Sequence, residues 1–162
     1  MSATKSVSKA EIRVVVDTNV FVPALAGREP EASFYSAAIR QCWKFVVSDQ
    51  ILEEYRRVIQ KFGFRADVVI HAVSMLYAME KYRSSKASPE AVPDELAPPK
   101  DRHIVAPCLE GKANLIVTHD GGILAKKQKI LELSGARVLA LHEAQAQLDT
   151  STEASSGPSR VD

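Results

Sequence analysis

Four acids stand where the chain leaves an apolar run or opens a helix: Asp17, Glu54, Asp101 and Asp120. Asp17 follows Val14-Val15-Val16 directly, in the string VVVDTNVFV, and Asp120 follows Leu115-Ile116-Val117-Thr118-His119. Taken singly, each acid has a plain explanation. Asp and Asn start turns and cap helices, a helix N-terminus favours a carboxylate, and Glu54 could lie on a solvated helix edge near Arg57 and Lys61. Taken together they point to chemistry. Several carboxylates converging on one crevice repel one another and stay ionised together only around positive charge. Hard oxygen ligands select Mg²⁺ or Mn²⁺, and such an ion beside a substrate phosphate performs metal-assisted phosphodiester hydrolysis. Zinc fits less well, because His71, His103, His119 and His142 lack zinc-binding spacing and Cys42 and Cys108 are far apart.

These acids need elements to hold them. Ile12–Val16 is a β-branched run broken only by Arg13, and Leu115–Thr118 is fully apolar up to its threonine, as in strands buried on both faces. Lys44–Val47 and Arg137–Leu141 read as two further strands. Helices are expected over Ala32–Gln41, Gln50–Phe62 with Ser48 or Asp49 as cap, Ala66–Tyr82, from Asp101 onward, and from Gly121-Gly122 to about Leu133. Ser84–Lys100, with four prolines, reads as a loop. On a wheel of about 100° per residue, Ile51, Leu52, Tyr55, Val58, Ile59 and Phe62 form one stripe. Glu53 falls opposite it and Glu54 on its flank, where a carboxylate borders a cleft. Asp101 falls on the apolar face of its own helix, with Ile104, Val105, Cys108 and Leu109. Strands alternating with helices imply an α/β fold with a parallel sheet, whose ligands lie at the strands' carboxyl ends.

The composition excludes several classes. The 162 residues allow one domain, expected over 11–148 between a flexible stretch at 1–10 and a disordered tail at 149–162. With 21 basic and 20 acidic side chains the net charge is +1, which excludes a chain coated in basic residues for indiscriminate nucleic-acid binding. Two cysteines make no disulfide framework. No apolar run reaches the ~20 residues of a membrane span, and MSATKSVSKAEI has no apolar core of a secretory leader. The expected setting is cytoplasmic, with no membrane.

The strings VVVDTNVFV, SDQILEEYRRVI and DRHIVAPCLEGKANLIVTHD together resemble PIN-domain proteins, most of all the branch of toxin components of toxin–antitoxin systems. The resemblance spans about Ile12 to Leu141. It implies a three-layer α/β/α fold with a central parallel sheet, a divalent-metal site of acidic residues, and cleavage of single-stranded RNA to 5′-phosphate and 3′-hydroxyl ends. Asp17 matches the family's first acid, Asn19 the polar residue supporting it, Glu54 the glutamate of the second motif, Asp101 the third acid, and Asp120 the acid after the last motif strand. Thr118 matches the small hydroxyl residue of that motif. Three features depart from the family pattern. Pro98-Pro99-Lys100 replaces the usual acids before Asp101, Pro107 falls inside the following helix where a kink or shortening is expected, and His119 replaces a small residue.

The expected activity is therefore that of a Mg²⁺- or Mn²⁺-dependent endoribonuclease and toxin. Asp17, Asp101, Glu54 and Asp120 would hold metal, Asn19 would orient a carboxylate or a water, and Thr18 or Thr118 would donate to the phosphate. Lys126 and Lys127, with Lys129, Arg56 and Arg57, are the candidate contacts to the RNA backbone, unless they form an ordinary solvated face. An antitoxin protein and a second copy of the chain are the partners the resemblance implies. The alternative is a catalytically impaired PIN fold that binds RNA or protein. An aspartyl phosphatase at Asp17 fits poorly, since that chemistry wants an acid where Asn19 stands.

Overall fold

A computed structural model describes residues 11–80 and 88–155. Four short strands, β1 (Arg13–Val16), β2 (Lys44–Phe45), β3 (Leu115–Val117) and β4 (Arg137–Leu139), form one parallel sheet in the order β2-β1-β3-β4. Helices α1 (Thr18–Leu25) and α2 (Glu31–Arg40) connect β1 to β2. Next come α3 (Asp49–Lys61), α4 (Ala66–Glu80) and α5 (Arg102–Leu109) on the way to β3, then α6 (Gly121–Ala125) and α7 (Lys127–Ser134) on the way to β4, and α8 (Leu141–Ser155) closes the chain. The result is the three-layer α/β/α arrangement expected from the alternation of strands and helices.

The two central strands, β1 and β3, are apolar and rich in β-branched residues, as suits a sheet covered by helices on both faces. Val14, Val15, Leu115, Ile116 and Val117 are fully enclosed. Register is in step across the sheet, with Val15 opposite Ile116 and Ile116 opposite Val138. The chain leaves β1 toward β2 on one side and later returns to place β3 on the other. The gap between the carboxyl ends of β1 and β3 is therefore the switch point, where parallel sheets open a crevice.

The amphipathic reading of α3 holds for Ile51, Leu52, Tyr55 and Ile59, all buried, and Ser48 caps the helix by accepting from the Ile51 N–H at 3.2 Å. Phe62 departs from it: this residue caps the helix C-terminus and is 67% exposed. Two helices were not expected. In α1, Thr18, Val20, Phe21, Val22, Ala24 and Leu25 are all buried, so the segment is apolar nearly all round and shows no stripe. α8 extends to Ser155, into the stretch expected to be tail, anchored by buried Leu141, Ala144 and Leu148. The expected helix from Gly121 is two, broken at Lys126. Helix α5 runs unbroken past Pro107, which removes only the N–H that would reach the His103 carbonyl. The expected N-terminal stretch 1–10 lies outside the described residues, as does the tail beyond Ser155.

Candidate active site

At the switch point the strand ends become helix caps, and this turns a run of valines into a place for acids. Asp17 is the N-cap of α1. Its Oδ1 accepts from the Thr18 N–H at 2.7 Å and its Oδ2 from the Thr118 hydroxyl at 2.6 Å. Asp120 is the N-cap of α6, its Oδ1 accepting from the N–H groups of Gly122 and Ile123 at 2.7 and 3.2 Å. Thr118 joins the two acids, because its oxygen also accepts from the Asp120 N–H at 2.9 Å. Asn19 ties α1 to the same turn by accepting from the His119 N–H at 3.1 Å.

Tyr55 sets the third acid. Pairing of β2 with β1 stops at Val14–Phe45, and the Val16 carbonyl beyond it receives the Tyr55 hydroxyl instead. Tyr55 is buried and stacks on Phe21 with ring centroids 4.1 Å apart. That anchor fixes α3 one residue from Asp17 and leaves Glu54, next in the helix, at the crevice. Glu54 Oε2 is paired with His103 Nε2, which joins α3 to α5. Asp101 stands at the N-cap position of α5 but makes no side-chain cap bond, so the capping explanation fails for this acid.

All four carboxylates line one cavity of about 470 Å³, together with Thr18, Asn19, Arg28 and an apolar wall that includes Val22, Val58, Phe62 and Phe64. Burial raises the Asp17 pKa above its ordinary value against the pull of Thr118 and Thr18, and the Glu54 charge adds to the rise. Burial also raises Asp101, reinforced by the negative charge of Asp120 and partly offset by Lys100. Burial pushes Glu54 upward too, but the His103 hydrogen bond and charge outweigh it and hold the carboxyl below its ordinary value. Elsewhere, burial pushes the Cys108 thiol up to about 12, which excludes it as a nucleophile at neutral pH.

This donor set suits a hard divalent cation. Its carboxylates crowd one cavity at the expense of two raised pKa values, and Thr18 Oγ1 is buried facing Glu54 without completing a hydrogen bond. Among the described residues, no group of three His, Cys, Asp or Glu side chains is arranged to hold an ion alone. The fit is to an ion bound by one or two carboxylates and completed by water, the usual habit of Mg²⁺.

A family model for the PIN domain matches residues 13–121. The chain belongs to the PIN-domain family. The match runs from the first residue of β1 to the first of α6 and so carries all four acids. Comparisons with curated proteins and with solved structures match nothing. PIN domains are in general nucleases, hydrolases of phosphodiester bonds, and typically use divalent metal ions. Among the described residues, no helix of this PIN domain is long and apolar enough to cross a membrane.

Of the expected site residues, Asp17, Thr18, Asn19, Glu54, Asp101 and Asp120 line the cavity. Thr118 does not line the cavity: it is fully enclosed, and its hydroxyl holds Asp17 and the turn at Asp120 in place. Lys126 and Lys127, at the α6–α7 break, are not among the residues lining the cavity. Arg28 is, and Arg57 and Lys100 line a second groove of about 840 Å³ that shares Glu54 with it. Sequence reading missed Arg28, Phe64 and the His103–Glu54 pair. Each depends on packing between elements, which periodicity within one helix does not reveal.

Proposed function

We propose that this PIN domain is a metal-dependent endoribonuclease that hydrolyses single-stranded RNA with Mg²⁺ or Mn²⁺, and that it acts as the toxin of a toxin–antitoxin pair. The observation that carries the reading is the convergence of Asp17, Glu54, Asp101 and Asp120, from four separate elements, on one cavity at the β1–β3 switch point. A divalent ion, when bound, supplies charge neutralisation at the scissile phosphate and makes water a stronger acid. Asp17 and Asp101 are the ligands whose raised pKa values such an ion relieves most. Glu54, whose carboxylate His103 holds ionised, adds a negative charge at the crevice that would help hold the ion, directly or through water. Thr18 Oγ1, buried beside Glu54 in the cavity wall, is a candidate donor to a phosphate oxygen or a water. Arg28 in the cavity and Arg57 and Lys100 in the adjoining groove offer positive charge to neighbouring phosphates.

The toxin assignment rests on the resemblance of the three motif strings to that branch. A cognate antitoxin, a homodimer and a cytoplasmic setting belong to the same reading. The binding-module reading has one observation in its favour, the Pro98-Pro99-Lys100 run that stands where the resemblance leads one to expect acids before Asp101. The experiment that separates them incubates purified protein with end-labelled single-stranded RNA and Mn²⁺ or Mg²⁺, beside an Asp101→Asn variant. Cleavage abolished by EDTA and by the substitution supports the nuclease. RNA bound but uncut in either metal supports the module instead.

A further inference from the structure

We propose that Phe62 and Phe64 form a shelf on which unstacked bases of the single strand lie while its phosphate is presented to the acids. The proposal deepens the nuclease reading and rests on it. Helical periodicity places Phe62 on the core stripe of α3, yet the ring stands 67% exposed at the helix end. A phenylalanine left in water forgoes much of the stabilisation its burial would give. Here the ring lines the same cavity as the four carboxylates.

The backbone presents this ring together with a second one. Gly63 adopts φ +59°, the left-handed conformation that ends a helix and that side-chain-bearing residues rarely take. The chain turns there, and the rings of Phe62 and Phe64 lie with centroids 6.3 Å apart and planes at 45°. Phe64 packs against the core and backs Phe62. Glu54 and Phe62 stand eight residues apart along α3, about 12 Å at the helical rise, so the cavity has an acidic end and an aromatic end, and Arg28 lines it as well. That combination matches a polymer with flat apolar bases and a charged backbone. Aromatic stacking takes any base, but only one freed from its duplex neighbours, so the shelf selects single strands without selecting sequence. An apolar segment of a protein partner would use the aromatic end but would have no use for the acids beside it.

The test compares Phe62→Leu, which keeps an apolar side chain but no ring, with Phe62→Tyr, which keeps the ring. Both are made in an Asp17→Asn background with Mg²⁺ present, and folding is checked by circular dichroism. Fluorescence anisotropy reads binding of a labelled 12-nucleotide oligouridylate and of an abasic strand of the same length. The expected result is about a tenfold weaker Kd for Phe62→Leu on oligouridylate, the loss of one stacked base. Phe62→Tyr should hold near the parent value, and the abasic strand should show no difference among the three. Equal affinity of Phe62→Leu and its parent for oligouridylate overturns the shelf, and so does no oligouridylate binding in any of them. A loss with both strands, or a failure of tyrosine to restore binding, also overturns it, as would a dimer in the parent that Phe62→Leu dissociates. Wild-type cleavage is run alongside. Metal-dependent cutting with no effect of Phe62→Leu on binding sinks the shelf alone. Base-dependent binding without cutting sinks the nuclease and leaves the shelf.

Discussion

Replacing Thr118 by valine tests whether the acids are held by the bonds described above. The side chain is fully enclosed and valine has nearly its shape, so the change opens no cavity and removes only the hydroxyl. Two hydrogen bonds go with it. The bond donated to Asp17 at 2.6 Å is charge-assisted and contributes about 2 kcal/mol. Losing the acceptor for the Asp120 N–H, a half-buried donor that water can partly satisfy, costs about 1 kcal/mol more. The total of about 3 kcal/mol corresponds to a fall in Tm of roughly 9 °C for a chain of this size. Thr118→Ser keeps the hydroxyl and loses a methyl, which costs about 1 kcal/mol and roughly 3 °C. The deficit of the valine variant also depends on pH. The Thr118 bond draws the Asp17 pKa down against burial, so without it the folded variant holds its proton to higher pH. Both folded values lie above the ordinary 3.8. The valine variant therefore loses more stability than wild type as pH rises, and its deficit widens upward and narrows on acidification. Thermal melts in EDTA from about pH 4 to pH 8 read all of this. A valine variant melting within 2 °C of wild type, a serine variant equally damaged, or a deficit constant with pH would refute the reasoning.

Two other outcomes are expected. Tyr55→Phe removes the hydroxyl that serves the Val16 carbonyl and leaves a buried acceptor unpaired, so unfolding should become easier by about 1–2 kcal/mol. The catalytic rate should fall as well, because the anchor between Glu54 and Asp17 is loosened; an unchanged melt in denaturant would contradict this. The metal-free domain should lose stability as pH rises past 3.8 through the raised pKa values of Asp17 and Asp101, while Glu54 contributes oppositely, losing its stabilisation as pH falls below 4.5 through its lowered value. A divalent ion relieves the first effect, so the rise in Tm on adding Mn²⁺ should be larger near pH 8 than near pH 5, and a rise that grows on acidification would count against it.

The layers of the fold were legible in the sequence because Val14–Val16 and Leu115–Val117 are apolar runs and α3 carries a stripe that holds through Ile59. Asp17 and Asp120 could be found because each ends such a run, and Glu54 because the stripe fixes which of two adjacent glutamates borders a cleft. What stayed hidden depended on tertiary contacts. Helix α1 is buried nearly all round and so looks like a continuation of the strand before it. Helix α8 has few apolar anchors, and it packs on α2 and β4, which are distant in sequence or form only with the sheet. Thr118 reads as a phosphate donor from its position, but its hydroxyl is spent on two acids brought together across 101 residues of chain. Phe62 obeys the periodicity of α3 and still lines the cavity, since it caps the helix beyond Ile59, the last residue of the stripe that is buried.

The central claim is that the cavity lined by the four acids holds a divalent cation, with Asp17 and Asp101 as its protein ligands, and calorimetric titration of Mn²⁺ into the metal-free protein near pH 7.5 tests it most directly. The account predicts saturable binding that Asp17→Asn and Asp101→Asn each weaken at least tenfold, while Glu53→Gln, on the exposed face of α3, leaves it unchanged. Binding unaffected by Asp17→Asn, or no binding by the wild-type protein, would contradict it.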